Sequence, residues 1–298
     1  MSVFDSLVKH GMPLVPKPIV GRVAQRYVAG ETVDDAVRTL REMNDEGSMG
    51  TVDVLGEEVR EPAKAKTAVD AYVKLLDRIE KEHLDANISI KPTMLGLKID
   101  RGFCEENLRP IIERASELGN FVRIDMEDNT CTDDTIELYR RMHEKHPEHV
   151  GTVLQAYLRR TVSDIDDLLP LQPNIRICKG IYRESRQIAW QDFETIRANF
   201  AYSTEKLLTA GAYVGIATHD PYLVWAGMQL VDRLGLDRDQ YEFQMLLGVD
   251  PELRRIILSN GHRLRVYVPY GRDWYPYSVR RLRENPAVAR HVIRAMFS

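Results

Sequence analysis

One unit recurs through most of this chain: a short apolar run that stops at a polar side chain, followed by a stretch with helical spacing. The runs fall at 51–56, 87–93, 121–127, 151–157, 175–182, 213–220, 242–248 and 266–270. Between them, apolar residues recur at the three-and-four spacing of amphipathic helices over 62–82, 105–118, 133–146, 163–169, 187–210, 221–234 and 252–260. Strands that alternate with helices must pair in parallel, through right-handed crossovers. Eight such units of about 25–37 residues predict an α/β fold, a (βα)8 TIM-like barrel of about 250 residues. An open doubly wound sheet is the competitor, but no GxGxxG follows any of the runs, so the dinucleotide fingerprint is missing. No Gly/Ser-rich linker divides the chain. The expectation is therefore a single domain over 1–298, with an N-terminal helical arm at 1–47, the barrel at 48–285 and a C-terminal helix at 286–298. Within the arm, Pro13, Pro16 and Pro18 break the first 30 residues, and a helix over 31–46 closes at Gly47.

In a barrel, chemistry sits where the strands end. Those ends carry Lys91, Asp125, Gln155, Arg176 with Lys179, Thr218 with His219, Gln244, and Tyr267 with Tyr270. Charged groups are almost never buried without partners. The ring is thus either a structural charge network or a site for a large polar ligand and a small charged one, and the barrel-top position favours the second. Single members stay ambiguous. Lys91 suits a salt-bridged strand lysine as well as a ligand contact. Asp125 and Glu127 share a sheet face, either as a carboxylate pair or as partners for Arg176 and Lys179. His219 suits a ligand donor or a satisfied core histidine equally.

Beyond the last run, Pro276 fits the first turn of a helix, where its missing N–H costs nothing. Tyr277, Arg280, Arg281 and Glu284 follow at spacings of three and four. Adjacent arginines point about 100° apart on a helix, yet both are long enough to converge on one small anion, which a guanidinium grips bidentately. Taken alone, the same stretch reads as a solvated basic face.

Other classes fall away. A formal net charge of −4 leaves no electrostatic footprint for nucleic acid. Three cysteines without CxxC spacing argue for a reducing compartment and against a disulfide framework or thiolate metal site. His143, His146 and His149 lie in a charged stretch without a zinc-type motif, so no metal is expected. No apolar run approaches the roughly 20 residues that span a bilayer. The first 20 residues lack the basic start and unbroken apolar stretch of a signal peptide, and a cytoplasmic protein is expected.

The motifs themselves are specific: SIKPTMLG around Lys91, RIDMED around Asp125, LQAYLRR around Gln155, RICKGIYRES around Arg176 and Lys179, ATHD around His219, EFQMLLG around Gln244, and RVYVPYG with YSVRRLREN at the end. In this order, from about Thr51 to Asn285, they resemble the proline dehydrogenase family; the first 50 residues match none of its motifs. The length is similar to the monofunctional bacterial form. The resemblance implies FAD-dependent oxidation of L-proline to Δ1-pyrroline-5-carboxylate, by hydride transfer to the flavin. Electrons would pass to a quinone, and the product to a separate pyrroline-5-carboxylate dehydrogenase. It implies that Gln155, Arg176, Lys179, Gly180, Ile181, Thr218 and His219 hold FAD, with Met126 behind its ring. Lys91, Arg280 and Arg281 would grip the proline carboxylate, Tyr277 and Leu246 would shape the ring pocket, and Tyr267 would close it. The last helix would thus carry substrate-binding residues over the barrel top. Asp125 and Glu284 would hold the lysine and the arginines in register, with Asp125 and Arg176 beside the chemistry. A quinone acceptor adds the expectation of a peripheral contact with the inner face of the membrane. The apolar face of Val288, Val292, Ile293, Met296 and Phe297 would either make that contact or pack on the barrel. The alternative enzyme is a class I aldolase-type barrel with Lys91 or Lys179 as the Schiff-base lysine.

Overall fold

In Asn174-Ile-Arg-Ile-Cys178, Ile175 and Ile177 are fully buried, while Arg176 between them bonds to the side chains of Ser89 and Gln244 on β-strands elsewhere in the barrel. That alternation is the fold in miniature. A strand with helices outside and a barrel axis inside loses water on both faces, so its outer positions must be apolar and its inner ones must find partners. The computed structural model describes residues 26–56, 58–275 and 277–278. Its strands are β1 Met49–Val54, β2 Ala86–Ile90, β3 Val122–Ile124, β4 Val150–Gln155, β5 Asn174–Cys178, β6 Tyr213–Ala217, β7 Tyr241–Leu246 and β8 Leu264–Tyr270. They close in sequence order into one parallel barrel, with β8 pairing back onto β1 over six residues, Met49 opposite Arg265 to Val54 opposite Tyr270. The expected (βα)8 architecture is therefore the observed one.

The helices are α1 Val33–Asp45, before the barrel, then α2 Pro62–Lys81, α3 Arg101–Glu117, α4 Thr132–Lys145, α5 Thr161–Leu168, α6 Phe193–Thr209, α7 Pro221–Leu234 and α8 Pro251–Ser259. Each lays an apolar stripe on the strands. In α2 the stripe is Ala65, Ala68, Val69, Tyr72, Leu75, Leu76 and Ile79, and each large side chain buried this way contributes about 1.5–3 kcal/mol. α1 starts at a capping box, Thr32 accepting from the Asp35 N–H while Asp35 accepts from the Thr32 N–H, and it packs across the β1–β8 seam. Gly50 lets it approach closely, since a Cβ there would lie 2.2 Å from the Leu40 Cδ2.

Three expectations shift. The helix expected from residue 187 begins at Phe193, capped by Asp192, because 180–192 instead forms a loop tied back by a bridge between Leu158 and Ala189. β3 ends at Ile124, so Asp125 and Glu127 stand beyond the strand rather than on it. The described end of the arm, 26–30, is a turn and irregular chain rather than helix and lies against the top of β8, with Ala29 donating to the Pro269 carbonyl at 2.9 Å. There Tyr27 and Val28 bury themselves with Leu55 and Tyr277. Residues 1–25 of the arm and the C-terminal helix expected at 286–298 lie outside the described residues. Among the described residues, no helix is long and apolar enough to cross a membrane.

Candidate active site

The strand ends converge on a cavity of about 740 Å³, within the range of small-molecule and cofactor sites. Its wall takes Lys91, Asp125, Met126, Gln155, Arg176, Lys179, Gly180, Ile181, Thr218, His219, Leu246, Tyr267 and Tyr277. Those are all the expected site residues that the structure describes. Arg280, Arg281 and Glu284 lie outside the described residues.

The charge pairing differs from the expectation in one respect that matters. Asp125 was expected to hold Lys91, but Lys91 bonds to Asp53 of β1, a residue the sequence reading passed over. Asp53 is fully buried and also accepts from the Tyr267 hydroxyl at 2.6 Å and the Tyr72 hydroxyl at 3.1 Å. The reason is register: β1 lies between β2 and β8, so its inward carboxylate reaches a lysine from one neighbour and a tyrosine from the other. Burial works against the Lys91 charge, but Asp53, Tyr72 and Asp125 outweigh it and hold its pKa above the ordinary lysine value. Burial, then the nearby Asp53, pushes the Tyr267 hydroxyl well above the usual tyrosine range, so it stays a donor.

Asp125 instead accepts from Arg176 at 2.7 Å and from Ser89 at 2.7 Å. Arg176 also gives its Nε–H to the Gln244 side-chain oxygen Oε1. Both sides of this guanidinium are therefore fixed, and its position is set before any ligand arrives. Glu127 takes neither cation; it accepts from the Thr93 N–H at 2.9 Å and the Thr93 hydroxyl at 2.6 Å. Lys179 donates to Asp220 at 2.6 Å, and Arg197 grips the same carboxylate with bonds of 2.9 and 3.0 Å. Asp220 thus organises a second cationic wall, with Phe193 beneath both Lys179 and Arg197. His219 accepts the Leu246 N–H on Nε2 at 2.8 Å, which puts the proton of the neutral ring on Nδ1. Cys178 also lines the cavity; burial pushes its thiol up to about 11, so it is no nucleophile at neutral pH.

One feature fits this cavity to a large polar cofactor. Gln155 donates to the carbonyls of Met126 and Glu127, while its own buried side-chain oxygen has no hydrogen-bond partner, so it is set to accept from a bound group. Gly180, on the same wall, has φ of +101°, and a Cβ there would meet the Tyr157 ring at 2.1 Å, so only glycine fits between this turn and that ring. Among the described residues, no group of three His, Cys, Asp or Glu side chains is placed to hold a metal ion.

The comparisons agree with this geometry. The sequence profile of the proline dehydrogenase family matches residues 36–294. The chain is 38% identical over 278 residues to proline dehydrogenase from Deinococcus radiodurans, covering 92% of this chain and 90% of that one. It is 37% identical over 264 residues to proline dehydrogenase 2 from Bacillus subtilis, covering 89% and 87%. Among solved structures, proline utilization A from Bdellovibrio bacteriovorus inactivated by N-propargylglycine superimposes with a TM-score of 0.81 at 24% identity. That match covers 87% of this chain and 32% of the larger protein, which supports the fold.

Proposed function

Since the chain belongs to the proline dehydrogenase family and is an enzyme of proline oxidation, we propose that its barrel mouth holds FAD and oxidises L-proline to Δ1-pyrroline-5-carboxylate. One observation carries this reading. A lysine kept cationic, a guanidinium fixed on both sides, and a buried amide oxygen awaiting a donor all line a single cavity.

Gln155, Arg176, Lys179, Gly180, Ile181, Thr218 and His219 would hold FAD, with Met126 behind its ring system. Bound there, FAD supplies the two-electron acceptor for the hydride leaving the ring carbon next to the proline nitrogen, and a quinone would take the electrons onward. The residues then divide the work. Lys91 is a fixed cation for the proline carboxylate, joined in this proposal by Arg280 and Arg281, with Glu284 holding the arginines. Anchoring the carboxylate aims the opposite side of the ring at the cofactor, a positioning effect. Leu246 and Tyr277 bound the apolar part of the pocket, and Tyr267, held by Asp53, closes it. Arg176 sets positive charge beside the cofactor, where charge accumulates as it is reduced. Asp125, paired with Arg176 and Ser89, orients that charge.

A Schiff-base role fits poorly. A nucleophilic lysine needs its pKa lowered, whereas Lys91 is ion-paired and its pKa raised, and Lys179 is paired with Asp220.

The purified protein should be yellow, and L-proline should bleach its flavin absorbance in the absence of oxygen while D-proline does not. A colourless protein whose lysine is trapped by borohydride with a carbonyl substrate would reverse the assignment. Comparing rates with a quinone in vesicles and with a soluble dye, before and after removal of residues 287–298, tests the proposed acceptor and the peripheral membrane contact. A loss with the quinone alone supports both. A separate pyrroline-5-carboxylate dehydrogenase would consume the product.

A further inference from the structure

Resting on that reading of the pocket, we propose that Asp53 is a positioning residue for proline's carboxylate: it keeps Lys91 charged and holds Lys91 and Tyr267 at one point of the barrel mouth. Three observations combine. Asp53 is fully buried near the end of β1, between the strand that leads into Lys91 and the strand that carries Tyr267. It takes Lys91 and the Tyr267 hydroxyl on one oxygen and the Tyr72 hydroxyl on the other. The Lys91 nitrogen lies 3.4 Å from the Tyr267 oxygen, so a single carboxylate sets the spacing of two cavity-wall groups.

Charge makes the role specific. Lys91 is only 6% exposed, and burial alone favours its neutral form. Among the described residues, the groups that act on it are Asp53 from β1, Tyr72 from α2, Tyr267 from β8 and Asp125 beyond β3. Among the described residues, Asp53 is the one carboxylate bonded to it directly. Without that charge, the Lys91 pKa falls, and as pH rises the cation for the substrate is lost. With it, the cation persists through the neutral and mildly alkaline range. A residue that merely filled space would alter affinity equally at every pH.

The test is Asp53→Asn, which keeps the shape and one acceptor oxygen, so that one of the two tyrosine bonds can persist, but removes the charge. The probe is tetrahydrofuran-2-carboxylic acid, a proline analogue whose ring oxygen replaces the amine, so that only the protein titrates. Its affinity for the FAD-loaded protein is followed by calorimetry from about pH 6.5 to about pH 9.5, around the ordinary lysine and histidine ranges. The unmutated enzyme should change by less than about twofold, and Asp53→Asn should lose at least about tenfold across the same interval, one decade per unit above the lowered pKa. A pH profile parallel to that of the unmutated enzyme would overturn the assignment. Lys91→Met separates the two levels of the argument. It should bind weakly at every pH, and full affinity in that variant would instead overturn the reading of the pocket. Should Asp53→Asn fail to fold, nitrogen NMR of the lysine side chains in the unmutated protein decides the matter, with Lys91→Met giving the assignment. A Lys91 titration above the ordinary lysine value supports the role, and one below it contradicts it.

Discussion

The barrel interior holds two polar layers built from the same residue types, and only one of them faces a cavity. The lower layer joins Arg123, Tyr213, Glu242 and Arg265. Arg265 gives its Nε–H to Glu242 at 2.8 Å and donates to the Gly50 carbonyl at 2.6 Å, Tyr213 donates to Glu242 at 2.9 Å, and Arg123 reaches the carbonyls of Thr152 and Asn174. None of these four lines the cavity. The upper layer contains Asp53, Ser89, Lys91, Asp125, Arg176 and Tyr267, and Lys91, Asp125, Arg176 and Tyr267 border the open space. Gln244 ties the layers together, donating to Glu242 below and accepting from Arg176 above. Buried charge alone therefore does not mark a site; here the mark is charge whose remaining bonding capacity points at a ligand-sized space.

Substitutions can break this comparison. The largest effect on folding should come from Glu242→Ala, which strands a buried guanidinium and should cost about 3–5 kcal/mol in denaturant unfolding. A stability within about 1 kcal/mol of the unmutated protein would remove the distinction. The same pair predicts an acid limit. Burial works to raise the Glu242 carboxyl, but Arg265, Arg123 and Gln244 outweigh it and hold its pKa at about 2, against an ordinary 4.5. A folded-state pKa below the unfolded one gives stability that is complete above the unfolded value and lost as pH falls through the folded one. Stability should therefore drop between pH 4.5 and about pH 2, and Glu242→Gln should flatten that part of an unfolding-versus-pH profile.

In the upper layer the effect should move from folding to ligands. Arg176→Ala should weaken FAD retention at least about tenfold, the order expected for charge-assisted bonds, at less cost in stability than Glu242→Ala; normal flavin content with a normal spectrum and potential would contradict this. Arg281→Met should raise the KM for proline about 10–100-fold with little change in flavin content, since a hydrogen bond to a charged group contributes about 1.5–3 kcal/mol. The smallest change should come from outside the barrel. Arg233 and Glu205 are half or more exposed, so Glu205→Gln should alter unfolding by less than about 1 kcal/mol and leave KM unchanged.

The fold and much of the upper layer were legible because strand and helix periods alternate cleanly and strand ends are short polar punctuation. Lys91, Gln155, Arg176, Lys179, Thr218, His219 and Tyr267 came together on the cavity wall as their places at strand ends required. Asp53 was missed because it lies in a run already read as an ordinary strand, although a carboxylate at an inward-facing alternate position was the available signal. Ser89, Glu242 and Arg265 share that pattern, and a strand with charge on one alternating face must answer it across the barrel. Asp220 reads in the sequence as a variation beside His219 that touches no main role, yet it binds both Lys179 and Arg197; the partner from α6 lies 23 residues away, and no local spacing announces it. Residues 187–192 of the loop were read as helix because the pattern from Phe193 onward extrapolates backwards, while the loop's tie to Leu158 is a long-range contact.

The most direct measurement is a crystal structure of the FAD-loaded protein with tetrahydrofuran-2-carboxylic acid. The account predicts a carboxylate oxygen within about 3 Å of the Lys91 nitrogen, the ring between the flavin and Tyr277, and Lys91 still bonded to Asp53. A ligand seated elsewhere, or Lys91 turned away from it with Arg176 no longer beside the flavin, would contradict it.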